Sequence, residues 1–140
     1  MRTIQQIQNE IIDEFDFFED WSEKYQYLID LGKNLPNFDN KSRIDSNLIK
    51  GCQSKVWLNS SFKNNTVIFE ADSDAIISKG IISLLIRVFS GHRPEDILEA
   101  KVDFIEQIGL NTHLSQTRAN GLLAMIKQIK IYALAYQSKK

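Results

Sequence analysis

Cysteine is almost missing from this 140-residue chain, which holds Cys52 and no other. One thiol closes no internal disulfide and fills no multi-cysteine metal site. Cluster ligation, which usually takes about three or four cysteines, is excluded on the same ground. Histidine is nearly as scarce: a cysteine nucleophile could draw a base only from His92 or His113. No sign of charge dominates, since 17 Lys and Arg stand against 18 Asp and Glu for a formal net charge of −1. Without a basic surplus a nucleic-acid backbone finds no electrostatic hold here. Long hydrophobic runs are absent as well. The most apolar stretch, residues 75–89, contains Lys79 and Arg87 and is too short to span a bilayer, so no membrane role is expected. The opening M-R-T-I-Q-Q-I-Q-N-E lacks the apolar region of a signal peptide, which makes a cytoplasmic location the expectation. The chain shows no internal repeat and no low-complexity tract.

What is present suits one domain over residues 1–140, because 43% of the residues are hydrophobic and can fill a single core. Ile4, Ile7, Ile11, Phe15 and Phe18 recur at three- and four-residue steps, which predicts an amphipathic helix over roughly the first 18 residues. Asp20, with Glu23 three positions on, resembles a capping box. Trp21, Tyr25, Leu28 and Leu31 give the following helix an apolar face, Gly32 is placed to end it, and Pro36 forbids its continuation. Lys24 alone interleaves with these aromatics, too little basic charge for a stacking platform, so they read as core. Residues 36–47 turn polar and read as a surface connection.

Strand signals come next. Leu48 and Ile49 read as a first strand leading into a tight loop, residues 56–62 as a second, Asn64-Asn65 as a turn, and residues 66–70 as a third. Asp72, Ser73 and Asp74 offer side chains that can cap the next helix. That helix, near residues 75–90, is apolar around most of its circumference and belongs at the centre of the core, lying on the sheet. Gly80 within it lowers helix propensity by about 1 kcal/mol relative to Ala, which a close approach to a neighbouring element would explain. Gly91 ends it, Pro94 opens a short helix, and Phe104, Ile105 and Ile108 suggest another, ended by Gly109. A last helix starts at Ser115 with Leu122, Met125, Ile126, Ile129 and Ala133 as its buried stripe. The expected fold is α+β: a three-stranded antiparallel sheet with helices packed mainly on one face.

The stretch L-I-K-G-C-Q-S-K-V-W-L over residues 48–58 organises the rest. A free cysteine is commonly a small buried hydrophobe. Here its neighbours are Gly51, Gln53 and Ser54, which do not enclose a thiol as core residues do, and Gly51 lets the backbone turn sharply. Lys50 and Lys55 favour the reactive thiolate, while burial opposes it, so the sequence leaves the sign of any shift open. Arg118 falls on the stripe of Leu122. It can be a snorkelling side chain at the edge of the core or a fixed cation near the thiol. Asp74 can be a plain helix cap or a neighbour of the sulfur.

The string G-C-Q-S-K-V-W resembles the cysteine motif of the SufE family, sulfur-acceptor partners of cysteine desulfurases. S-D-A-I-I-S-K-G from residue 73, L-S-Q-T-R-A-N-G-L-L-A-M-I from residue 114 and W-S-E-K-Y-Q-Y-L-I-D-L-G-K-N-L-P from residue 21 are similar to that family, and the four strings stand in its order along the chain. The resemblance implies that Cys52 accepts sulfane sulfur as a persulfide. It further implies that Gly51, Gln53 and Ser54 shape its loop, and that Asp74 and Arg118 stand near it. It implies a pyridoxal-phosphate-dependent cysteine desulfurase as donor, stimulated by this chain, and an iron–sulfur scaffold complex as onward recipient. The cofactor would be the donor's, with no cofactor and no metal on this chain. The chain is expected to be a monomer or a weak homodimer, an accessory protein more than an enzyme.

Persulfides in open water are prone to oxidation. The small residues at 51–54 would let the loop tuck against apolar cover, with Val56 and Trp57 as candidates, and extend on docking. The competing reading is a self-sufficient cysteine enzyme with His92 or His113 as base. A phosphatase-like signature is absent, since Leu58 stands six residues after Cys52 where an Arg is required.

Overall fold

A computed structural model describes residues 2–138. The periodic N-terminal segment forms α1 (Ile4–Asp16) and buries Ile4, Ile7, Ile11 and Phe15. The helix stops two residues short of the expected Phe18. Its start is fixed by a capping box in which Thr3 Oγ1 accepts from Gln6 N–H and the Gln6 side chain accepts from Thr3 N–H. Gln8, also buried, donates to the carbonyl of Lys101 and accepts from the N–H groups of Asp103 and Phe104. One polar side chain thus ties α1 to the later short helices.

α2 (Trp21–Lys33) is capped by Asp20, whose carboxylate accepts from Glu23 N–H at 2.9 Å. Gly32 does not end this helix, as its position near Pro36 suggests; it lies inside and is buried. Its role is packing. A β-carbon on Gly32 would come within 2.8 Å of the backbone nitrogen of Gly80, and one on Gly80 within 2.3 Å of the Leu28 carbonyl oxygen. The two glycines mark where α2 and α3 (Ile76–Phe89) cross backbone to backbone. The close approach expected of Gly80 is therefore present, and Gly32 is its counterpart.

Among the described residues the sheet has two strands, not three. β1 (Val56–Lys63) pairs antiparallel with β2 (Thr66–Ser73), with Leu58 opposite Ala71 and Phe62 opposite Val67. Asn64 and Asn65 both hold positive φ, 54° and 62°, as a tight turn matched to strand twist requires. The expected first strand at Leu48 and Ile49 makes only an isolated bridge from Leu48 to Trp57, with Ile49 N–H donating to the Val56 carbonyl at 2.9 Å. A 3-10 turn at Asp45–Asn47 precedes it and a turn at residues 50–51 follows, so no length remains for a ladder.

Val56, Leu58, Val67, Phe69 and Ala71 share the buried face of the sheet. The opposite face, with Trp57, Asn59, Ile68 and Glu70, is partly open. On the buried side lie α3 and α7 (Gln116–Ser138), whose Tyr132 donates to the Leu58 carbonyl. The helices α4 (Pro94–Glu99), α5 (Phe104–Gln107) and α6 (Leu110–His113) complete the α+β arrangement. α3 is buried nearly all round, through Ile77, Ile81, Ile82, Leu84, Leu85, Val88 and Phe89. No helix among the described residues is long and apolar enough to cross a membrane.

Candidate functional site

The turn into the cysteine needs a residue that tolerates a left-handed backbone. Gly51 supplies it with φ of +95°. A β-carbon there would also press to 3.3 Å from the Cβ of Ala124 on α7. Past the turn, Cys52 points inward. Its side chain is half-buried, and its thiol lies 3.6 Å from the carbonyl oxygen of Gly121, to which it donates a weak hydrogen bond. Ser54 Oγ shares a 2.8 Å hydrogen bond with Ser78 Oγ on α3. The loop is thus laid across the junction of α3 and α7 and touches both.

Its far end is clamped by the residues whose side chains suit them to cap α3. The helix has Ala75 at its N-cap and no side-chain cap. The Asp74 carboxylate instead accepts from Lys55 N–H at 3.0 Å, and Asp74 N–H donates to the Lys55 carbonyl. Ser73 Oγ donates to that same carbonyl at 2.8 Å. Asp72 pairs with Arg43 at 2.7 Å and with Lys79 at 3.3 Å. Burial alone would raise the Asp72 pKa, but Arg43, the Ser73 N–H and Lys79 hold it below its ordinary value. The helix-cap assignment fails because β2 runs on to Ser73: Ser73 and Asp74 turn to Lys55, while Asp72 turns to Arg43 and Lys79.

The sulfur opens into a cavity of about 330 Å³ whose lining includes Cys52, Gln53, Ser54, Asp74 and Arg118. Gly51 stays outside the lining and acts through the turn. Arg118 is exposed on the first turn of α7, and among the described residues its guanidinium makes no hydrogen bond or ion pair. The apolar wall comes from Ile81 and Met125. Val56 and Trp57, the expected cover, are elsewhere: Val56 is fully buried in the core and Trp57 stands on the open face of the sheet.

Sequence reasoning missed Ser78, Gly121 and Met125 as parts of this site. Gly121 had one legible signal, a glycine inside a helix, which costs about 1 kcal/mol unless something packs against it. A β-carbon there would stand 3.5 Å from the cysteine sulfur.

Burial pushes the Cys52 thiol above its ordinary pKa. Lys50 and Lys55 are exposed. At rest, burial therefore favours the thiol over the thiolate. Neither histidine lines the cavity. His113 stacks on Trp21 with ring centroids 4.0 Å apart. His92 is buried beside Arg2, Gln8 and Asp96 in a different cavity, and burial lowers its pKa. The structure thus gives Cys52 no histidine base among the described residues.

Residues 9–133 match the SufE family model, described as an Fe-S metabolism associated domain. A SufE-like protein of Rhizobium meliloti (strain 1021) is 41% identical, over 87% of this chain and 91% of its own length. SufE-like protein 1, chloroplastic/mitochondrial, of Arabidopsis thaliana is 37% identical over 93% of this chain, which corresponds to 35% of that longer protein. The solution structure of a hypothetical protein from Thermus thermophilus superposes with a TM-score of 0.78 at 17% identity, covering 94% of this chain and 96% of the other. That likeness is one of fold.

Proposed function

The chain belongs to the SufE family, whose domain is associated with iron–sulfur metabolism, and from this we propose that Cys52 is a persulfide acceptor for a cysteine desulfurase. The donor presents an outer sulfur on its own cysteine. The Cys52 thiolate attacks that outer sulfur, the donor's sulfur–sulfur bond breaks, and the donor cysteine leaves as a thiolate. The proton given up by Cys52 restores the donor thiol, so no external oxidant or reductant enters. The product is a persulfide on Cys52, which a scaffold for cluster assembly then consumes.

The observation that carries this reading is the placement of the only thiol. It lies half-buried on a short loop, in a cavity with an apolar wall and with Asp74 and Arg118 at the rim. Half-buried, with burial favouring the thiol form, the sulfur is less reactive at rest than a free thiolate. Drawing the loop outward removes the burial that raises its pKa and so lets a larger share of the thiol ionise. Ahead of the Lys55 clamp, the side-chain contacts that must break are few: the weak Cys52–Gly121 hydrogen bond and the Ser54–Ser78 pair. Arg118, whose guanidinium has no partner among the described residues, then offers a cation to the developing sulfur charge or to the desulfurase. A donor surface that engages the loop would also raise the donor's turnover by removing its bound sulfur.

Transfer of isotopically labelled sulfur from a cysteine desulfurase tests the reading. Transfer should fail with Cys52→Ser and persist with His92→Ala and His113→Ala. Loss of transfer in a folded histidine variant would favour a self-sufficient cysteine enzyme instead. Hydrogen exchange tests the loop: residues 50–55 should exchange faster when desulfurase is bound, and equal rates would rule the movement out.

A further inference from the structure

The corner between α1 and α2 carries a surface that the sulfur chemistry does not use. Residues 13–23 read D-E-F-D-F-F-E-D-W-S-E, with six acidic side chains and no basic one. The chain as a whole is close to balance at −1, so this is a local concentration of charge. In its middle Phe17 is 82% exposed, more than any other large hydrophobic side chain among the described residues. Its ring meets that of Phe18 edge-on at 5.4 Å, and Phe18 leans on Tyr27 at 5.0 Å. The three rings form a ridge.

A groove of about 490 Å³ runs along this ridge, with Asp13 and Glu14 as its charged lining. Another of about 210 Å³, also lined by Phe18 and Tyr27, has Glu23 and Asp30. Every charged side chain lining either groove is acidic. Glu14 is committed to Arg87 and Tyr27, and Asp30 to Gln26 and, at 4.0 Å, to Lys33. Asp13, Asp16, Glu19 and Glu23 have no hydrogen bond or ion pair to their carboxylates among the described residues. The neighbouring cations are engaged: Arg87 by Glu14, and Lys24 over the ring of Trp21.

We propose that this corner docks a basic segment of another protein, with an apolar anchor against Phe17 and Phe18 and Lys or Arg side chains on the surrounding carboxylates. Such a partner removes the rings from water and neutralises the rim in one step. A second copy of this chain would bring like charges together across a two-fold axis. An anionic membrane surface would be repelled by the same rim. The Glu14–Arg87 pair sits toward the C-terminal end of α3, whereas Ser78 of the thiol cavity sits near its start. An occupant here therefore leaves Cys52 accessible.

The test is selection of a random phage-displayed peptide library on the full chain, with counter-selection on Phe17→Ser. Enriched peptides should carry a Lys/Arg surplus around an apolar anchor and bind wild type and Cys52→Ser alike. They should lose about tenfold or more in affinity for Phe17→Ser, and weaken with added salt and with Asp13→Asn, Asp16→Asn, Glu19→Gln combined. Failure to enrich, enrichment without basic residues, or equal binding to Phe17→Ser overturns the proposal. So does self-association in sedimentation, or uptake on phosphatidylcholine vesicles, that Phe17→Ser abolishes, since the patch would then belong to a second copy or a membrane.

Discussion

The sulfur of Cys52 rests on the backbone of Gly121, 3.6 Å from its carbonyl oxygen, with space for about one added carbon between helix and thiol. A β-carbon at Gly121 would make ordinary van der Waals contact with the sulfur at 3.5 Å. Gly121→Ala should therefore leave the loop in place and stabilise α7 by up to about 1 kcal/mol, seen as a slightly raised Tm. Gly121→Val reaches further and should push the loop off the helix. Iodoacetamide should then modify Cys52 several-fold faster than in wild type; an unchanged rate would mean that Gly121 does not set the thiol's position.

Because burial raises the Cys52 pKa, its alkylation rate in the native chain should climb with pH to a midpoint above the ordinary thiol value of about 8.5. In the unfolded chain the midpoint should return to that value. Below the unfolded pKa both states keep the proton; between the unfolded and the raised folded value only the unfolded state releases it, so stability falls as pH rises through that window. A native midpoint below the unfolded one would show that the flanking lysines outweigh burial.

Asp74 holds the far end of the loop through the Lys55 N–H. Asp74→Ala removes that acceptor and should speed amide exchange at Lys55 and alkylation at Cys52, at a stability cost of about 1 kcal/mol at this exposed position. Asp74→Asn keeps a carbonyl oxygen in the same place and should restore most of the protection. Equal exchange in all three proteins would show that Asp74 does not hold the loop.

The crossing of α2 and α3 has no room for side chains at Gly32 and Gly80. Gly80→Ala would drive a methyl against the Leu28 carbonyl, and the helix-propensity gain of about 1 kcal/mol cannot offset a backbone clash. A net loss of about 3 kcal/mol is expected, lowering Tm by about 10 °C for a chain of this size. Thermal unfolding measures it directly; a Tm at or above wild type would contradict the packing described.

These positions also show what a sequence can and cannot disclose. Cys52 and the Gly51 turn are legible because their signal is local: small residues around a solitary thiol. The helical faces are legible from periodicity. The meeting of Gly121 with Cys52 is not, because it spans 69 residues of chain. Gly32 misleads because a glycine near a helix end and a glycine at a helix crossing look alike until the second helix is in place. Asp74 reads as a cap because Asp before a helix usually is one, whereas its carboxylate here reaches back to Lys55, the residue leading into β1. Leu48 and Ile49 have strand-like side chains, but the turns on either side leave them a single bridge.

Intact-mass spectrometry of the full chain, after incubation with a cysteine desulfurase and free cysteine, measures persulfide formation most directly. The expected result is a gain of one sulfur atom that maps to Cys52, disappears on reduction, and is absent in Cys52→Ser. No gain at Cys52 while the desulfurase turns over, or a gain that survives Cys52→Ser, would contradict sulfur acceptance by this thiol.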